Sequence, residues 1–372
     1  MYNFLVLSLS KVDKPFFIIT TILTIGGFLI FASAALGLLA RGNESFSNIA
    51  FSQTVLGLLL GILVLLIVSK LDYRWLKKGA FYLFFLAIVL NILVLFPSIG
   101  FEHGGARRWL SLGGLSFQPS EFLKLAFIIY LSAWFSSVKS KVATFKWGFL
   151  PLIILFSITA LLLLSQPDTD NFLLIILTGV AIFIASGGKW RYVLSLGFVG
   201  LLLFTFLALT RPYVMQRVQT FLDPSIDAQG SGYQIQQSLI AIGSGGLFGR
   251  GIGQSVQKFN FLPEPVGDSI FAVAAEESGF VGSTLIILLF VAFASRGLKI
   301  ASRVSDSFGR LVVVGIVIMI TTQAFINIGA MLGVIPLSGI TLPFVSHGGS
   351  SLFFTLLEAG IVLSISKSQK LK

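Results

Sequence analysis

Long apolar runs dominate this sequence, and the polar residues collect in the gaps between them. A helix that crosses a bilayer needs ~20 mostly apolar residues. Ten runs meet that length, at about 16–40, 49–69, 79–99, 119–138, 147–165, 171–188, 192–210, 269–295, 311–335 and 349–366. Pro97, Pro119 and Pro151 punctuate several of their ends. The pattern predicts an all-α, polytopic integral membrane protein of about ten transmembrane helices, as a single transmembrane domain over residues 1–372. The first run is too long for the apolar core of a cleaved signal peptide and reads as a retained span.

Basic residues in the gaps orient the bundle, because cytoplasmic segments carry the excess of Lys and Arg. With the N-terminus inside, 18 of the 26 basic residues face the cytoplasm, against 3 of the 15 acidic ones. Both termini are therefore expected to be cytoplasmic. The outer segments are unequal. A Gly-rich basic segment follows the third span (about 100–118), and a large extracytoplasmic loop, about 211–268, joins helices seven and eight. That loop shifts to Gln, Gly, Ser, Asp and Pro, and long ordered loops usually carry function.

Composition removes the soluble alternatives. Apolar residues make up 55% of the 372 and charged ones 11%, at a mean hydropathy of +0.95. Soluble domains hold about 25% charged residues. The formal charge of +11 is accounted for by the inside loops, so no nucleic-acid partner is expected. Without cysteine there is no disulfide or thiolate metal site, and the only histidines, His103 and His347, lie far apart in sequence; no metal ligand is assigned. No inside segment could form a nucleotide-binding domain and no GxxxxGK[ST] run occurs, which argues against direct ATP use.

Ionisable residues inside spans are costly and need a reason. Glu121 and Lys124, three apart in QPSEFLKL, share a helix face and can pair. Two readings stand: a self-neutralising pair that lets the helix insert, or the lining of a polar cavity in the outer leaflet. Arg107 and Arg108, in GGARRWLSLGG, suit a phosphate group at the interface, with snorkelling to lipid headgroups as the alternative. In the long loop Arg211 and Arg217 follow the seventh span, and SGYQIQQSLIAIGSGGLFG reads as a short amphipathic helix ending in glycines. NFLPEPVGDSIFAVAAEESG then gathers Glu264, Asp268, Glu276 and Glu277 where the chain re-enters the membrane.

Asp268 directly precedes an apolar helix, as an N-cap would; a general base near the bilayer surface is the other reading. Glu276 and Glu277 read as outer-surface charges or as partners for the arginines. Gln323, Asn327 and Glu358 read as interhelical polar contacts. Arginines and carboxylates on the outer side suit a lipid-linked anionic substrate, handled by transfer or by transport.

The same residues carry a resemblance. GARRWLSLGGLSFQPSEFLKL, QPDTD, FLDP, SGYQIQQSLIAIGSGGLFGRGIGQSVQKFNFLPE and INIGAMLGVIPLSGITLPFVSHGGSSL occur here in order and span most of the chain. Together they resemble the SEDS family (shape, elongation, division and sporulation) of bacterial peptidoglycan polymerases. GIGQSVQKFNFLPE and INIG are more similar to the division branch than to the elongation branch.

The resemblance implies an inverting glycosyltransferase of the cytoplasmic (inner) membrane. It would extend glycan on lipid II, the undecaprenyl-diphosphate-linked disaccharide-pentapeptide, at the outer face during cell division. Its implied partners are a cognate class B penicillin-binding protein and other divisome membrane proteins. The family's catalytic aspartate falls on Asp268, its loop glutamate on Glu264 and its basic loop residue on Arg217. The Glu and Lys of its fourth-span motif fall on Glu121 and Lys124. Arg107 and Arg108 join these as substrate-binding candidates from the residue reading. No cofactor is fixed; a divalent cation, Mg²⁺ or Mn²⁺, has room beside a diphosphate.

The chain departs from the family pattern at three places. Val266-Gly267 stands where many relatives have His-Thr, and His347 where they often have Tyr, which would add a pH response. Pro167-Asp168-Thr169-Asp170 replaces the commoner Pro-Asp-Phe/Leu-Gly. Two rivals remain at this level: a lipid II flippase, and a non-catalytic scaffold that recruits the transpeptidase.

Overall fold

The computed structural model describes residues 12–40, 45–103, 106–112, 115–210, 212–227 and 230–369. In chain order its principal helices are α1 (Lys14–Ala40), α2 (Phe46–Lys70), α3 (Arg74–Val94), α4 (Pro119–Val138), α5 (Phe145–Ser165), α6 (Thr169–Ala185), α7 (Trp190–Thr210), α8 (Pro212–Leu222), α9 (Ser231–Ser244), α10 (Ile270–Arg303), α11 (Ser307–Met331) and α12 (Gly349–Ser366). Among the described residues nine of these are long and apolar enough to cross a membrane, and α6 is a shorter apolar helix. The protein is a polytopic, all-α membrane protein.

The helix ends differ from the expected spans for local reasons. The third helix starts at Arg74 rather than near 79, because its basic first turns can keep their charges at the interface while their stems lie along apolar surface. The eleventh starts at Ser307, where the Asp306 side chain accepts from the Gly309 N–H as an N-cap. The basic segment after the third span is a small antiparallel sheet, β1 (Gly100–His103), β2 (Ala106–Leu112) and β3 (Leu115–Phe117), in the order β1-β2-β3. Ser350 fastens β3 to the start of α12 by donating its hydroxyl to the Ser116 carbonyl at 3.0 Å.

Burial divides the helices. α4, α11 and α12 form the buried centre, with Phe127, Ile128, Ile316, Val317 and Val362 closed from the surroundings. α7 is exposed along its length, presenting Leu194, Phe198, Leu201 and Phe206, as a helix solvated by acyl chains can. Asp13 joins the two ends of the described chain: its N–H donates to Ser366 Oγ at 3.1 Å, and its carboxylate takes Arg296 at 2.8 Å. Both ends thus lie at the face opposite Asp268, which lies just before the start of α10, whereas Arg296 lies near its other end.

α10 is interrupted. At Gly279 the backbone turns to φ 67°, ψ −164°, and the groups freed by the break find partners in the preceding glycine loop. Arg250 N–H and Gly251 N–H donate to the Glu276 and Glu277 carbonyls at 3.0 Å each, while Phe280 N–H and Val281 N–H donate to Gly246 and Leu247 at 2.9 and 3.1 Å. At membrane depth such exchange is obligatory, because lipid supplies no hydrogen bonds.

Candidate active site

Asp268 closes a tight turn that starts at Glu264, a residue in the left-handed region at φ 43°. The Glu264 carbonyl accepts from Gly267 N–H at 3.0 Å and Ser269 N–H at 3.2 Å. The turn is clamped against the segment before α12: His347 N–H donates to Val266 at 2.7 Å, and Ser346 Oγ to Gly267 at 2.8 Å. Ser269, not Asp268, occupies the N-cap position of α10, and no side chain caps there. The Asp268 carboxylate accepts no hydrogen bond from another residue among those described, and is partly buried. Burial first, then the Glu264 charge, push it from 3.8 to about 7, with Asp170 adding to the rise and Arg217 opposing it.

Arg217 reaches this turn from α8. Its Nη1 donates to both Asp170 oxygens, at 3.0 and 3.2 Å. Asp170, in the first turn of α6, also accepts from Gly339 N–H at 3.2 Å. A Cβ built on Gly339 would lie 3.9 Å from Asp170 Oδ2 and 3.9 Å from Asp268 Oδ2, so the two carboxylates flank one glycine. Arg217, Asp170, Asp268 and Glu264 therefore make one charged constellation from three parts of the chain: α8, α6 and the turn before α10. Sequence reading singled out three of them. For Asp170 the sequence offers one signal only, an extra carboxylate beside Pro167-Asp168.

Glu121 and Lys124 pair with each other, Nζ to Oε1 at 2.9 Å, and both are buried. Lys124 also donates to Gln323 Oε1 at 3.0 Å, and Gln323 Nε2 donates to the Thr341 carbonyl at 3.0 Å. One turn along α11, Asn327 donates to Ile340 at 2.8 Å and to the Asp268 carbonyl at 2.7 Å. The buried ion pair thus reaches Asp268 through the backbone of residues 340–341, not through open space.

Arg107 and Arg108 stand on β2, half-buried. Arg108 donates Nε to the Gln166 carbonyl at 3.2 Å and Nη2 to Pro167, seating the sheet on the turn before α6. There Asp168 caps α6, accepting from the Asn171 backbone N–H at 3.4 Å, and also accepts from Asn171 Nδ2 at 2.9 Å; burial raises its pKa and the Arg108 charge opposes the rise. Arg107 faces Glu102 in the register of β1 and β2. Arg211 lies outside the described residues.

Glu276 and Glu277 are buried and form a second cluster. Glu276 accepts from Ser255 Oγ at 2.5 Å, Val256 N–H at 3.1 Å and Gln257 N–H at 3.2 Å. Glu277 takes the fully buried Lys258 at 2.7 Å and the Ser33 hydroxyl of α1 at 2.7 Å. They are not outer-surface charges. His347 stacks on Phe31 at 6.1 Å, and burial pushes its imidazole down to about 4, which removes it as a switch near neutral pH. Among the described residues no group of three or more His, Asp or Glu is placed to hold a metal ion. The carboxylates around Gly339 are no donor set for a divalent cation, and no step is assigned to one.

Comparison with known proteins agrees with this architecture. A cell cycle protein family that joins FtsW, RodA and SpoVE matches residues 13–371. The chain is 39% identical over 346 residues to stage V sporulation protein E of Bacillus subtilis, covering 93% of this chain and 94% of that one. It is 34% identical over 363 residues to a probable peptidoglycan glycosyltransferase FtsW of Trichlorobacter lovleyi, covering 98% and 95%. A solved structure described as "Structural coordination of polymerization and crosslinking by a peptidoglycan synthase complex" superposes with a TM-score of 0.74 at 30% identity, over 93% of this chain and 97% of that one.

Proposed function

Because the chain belongs to the FtsW/RodA/SpoVE family of cell cycle proteins, we propose that it is a multi-pass peptidoglycan glycosyltransferase of the cytoplasmic membrane. Its substrate is lipid II, handled at the outer face, and its role is septal wall synthesis in cell division. It works with a class B penicillin-binding protein, a reading supported by the synthase complex among its structural neighbours. The observation that carries the proposal is the placement of Asp268: its carboxylate lies just before α10, flanks Gly339 opposite the Asp170 that holds Arg217, and meets no hydrogen-bond donor of another residue among those described, while burial pushes its pKa up to about 7.

A general base is most effective with a pKa near the working pH. Asp268 takes the proton of the acceptor's 4-hydroxyl, that oxygen bonds to the donor's anomeric carbon, and the bond from that carbon to the lipid diphosphate breaks. The diphosphate leaves as an anion, so no acid is needed to protonate it, and attack opposite the leaving group inverts the α-linked donor to a β-1,4 product. The proton on Asp268 passes to solvent.

Cationic side chains stabilise the departing charge. Arg217 is the foremost, with Arg107 and Arg108 on the neighbouring sheet. Glu264 raises the proton affinity of Asp268 and lies where an acceptor sugar could be oriented. Glu121 and Lys124 act at one remove, by holding residues 340–341 against the catalytic turn.

The test is glycan-strand synthesis from purified lipid II by the full chain, with and without a class B penicillin-binding protein, for wild type and Asp268→Asn. Polymer from wild type and none from an equally folded mutant is the expected result. Full activity in Asp268→Asn overturns the assignment of the base; inactive wild type with active lipid II flipping overturns the polymerase reading.

A further inference from the structure

Asp170 has no part in the chemistry just described, yet it ties together two elements of the site, Arg217 of α8 and the backbone at Gly339. It takes Arg217 Nη1 on both oxygens at 3.0 and 3.2 Å and the Gly339 N–H at 3.2 Å. Across Gly339, Asp268 Oδ2 stands as near to the glycine's missing Cβ as Asp170 Oδ2 does, at 3.9 Å for each. The Nε and Nη2 groups of Arg217 meet no acceptor among the described residues, and Arg217 remains about one-third exposed. One nitrogen of the guanidinium is thus held, and the edge made by Nε and Nη2 has donors to spare. A planar guanidinium held in this way is well suited to an oxyanion on its free edge.

We propose that Asp170 is the positioning residue of this site: it fixes Arg217 and the Gly339 backbone in register with Asp268, so that the phosphate-binding arginine and the base keep one geometry. The inference rests on the proposed role of Asp268 as base. Its charge has a second consequence. The charged groups acting on Asp268 are Glu264 from its own turn, Asp170 from α6 and Arg217 from α8; the two carboxylates raise its proton affinity and the arginine lowers it. Asp170 therefore both neutralises Arg217 and adds its own charge, keeping the base from becoming too weak.

The test measures kcat/KM for lipid II polymerisation against pH, which reports the free enzyme's base. The full-length chain, with its class B partner, carries Asp170→Asn, Arg217→Gln or both. Asp170→Asn should raise KM about tenfold, the scale of one lost charge-assisted contact, and move the acidic limb to lower pH. Arg217→Gln should also raise KM but move the limb to higher pH, and the double mutant should return it close to wild type. Asp170→Glu should recover part of the KM.

Unchanged KM and limb in Asp170→Asn overturn the inference while leaving Asp268 as base. A loss of kcat with the limb in place also overturns it, because a merely structural defect lowers the active fraction without moving a titration. Should Asp170→Asn fail to fold, Arg217→Gln decides alone: a limb that stays in place or moves to lower pH overturns the inference. If Asp268→Asn polymerises normally, the underlying reading fails first, and separately.

Discussion

Asn327 donates its side-chain amide to the main-chain carbonyl of Asp268 at 2.7 Å, and the same nitrogen reaches Ile340 at 2.8 Å. The catalytic turn and the segment before α12 are thus held together by one buried residue of α11. Asn327→Leu leaves two carbonyls without that donor, at a cost of about 1–3 kcal/mol for each buried unsatisfied group. Polymerisation should fall at least tenfold at matched protein level. Asn327→Asp, which adds a charge facing two carbonyls, should be worse than Asn327→Leu in both melting temperature and rate; wild-type stability and rate in Asn327→Leu would show that the amide donor does not matter.

Asp268 gives a pH dependence with a definite sign. The base works ionised, so kcat/KM should climb through pH 7 and level off above it, following the pKa of about 7. Stability runs the other way. A carboxyl raised from 3.8 in the unfolded chain to about 7 in the fold is held at a cost once both states are ionised, whereas below pH 3.8 both are protonated. Asp268→Asn should therefore raise the melting temperature at pH 8 and change it little at pH 3.5. A destabilised Asn variant at pH 8 would contradict the burial argument.

His347 should stay silent in that profile. Its imidazole, buried against Phe31 and pushed down to about 4, is neutral throughout the working range. His347→Gln should leave the acidic limb of kcat/KM where it is in wild type, and a limb displaced by half a unit or more would return His347 to the role of a pH sensor.

The buried pair Glu121–Lys124 should be worth more intact than either half alone. Removing one partner of a buried ion pair typically costs 3–5 kcal/mol, since it strands the other charge, whereas replacing both with apolar groups of similar size is often close to neutral. Glu121→Gln and Lys124→Met should each lower the melting temperature in detergent, and the double variant should recover much of the loss. Its activity should not recover to the same extent, because Lys124 also holds Gln323, which holds Thr341. Recovery of both would make the pair a device for insertion only.

The fold was legible because lipid imposes one rule on every span: about twenty apolar residues per crossing. Asp268, Arg217 and Glu264 were legible as costly charges concentrated beside apolar runs. Asp170 was not, because its importance comes from Gly339 and Arg217, 169 and 47 positions away. The sheet over Gly100–Phe117 was missed since its Gly-rich, basic sequence lacks a period-2 pattern. Lys258 lies in the long loop expected outside the membrane, yet it is fully buried, because Glu277 and Ser33 meet it there. Pairing across α1, the glycine loop and α10 is a tertiary fact that no window of sequence contains.

That last cluster bears on the break in α10. Glu276 and Glu277 stand three and two residues before Gly279, so the loop that holds their side chains also holds the interrupted backbone. Gly279 sits at φ 67°, and a Cβ there would fall 2.3 Å from Gly249 N and 2.7 Å from the Leu247 carbonyl. Those are backbone atoms, which cannot swing aside. Gly279→Ala therefore combines left-handed strain of about 1–3 kcal/mol with a clash against the loop that satisfies Phe280 and Val281. It should cost more stability than Gly282→Ala, whose Cβ meets only the Ser278 side chain at 2.2 Å. Thermal unfolding of the two variants in detergent makes the comparison. If Gly279→Ala is the milder change, the break can straighten into a continuous helix, and the glycine loop is not its fixed partner.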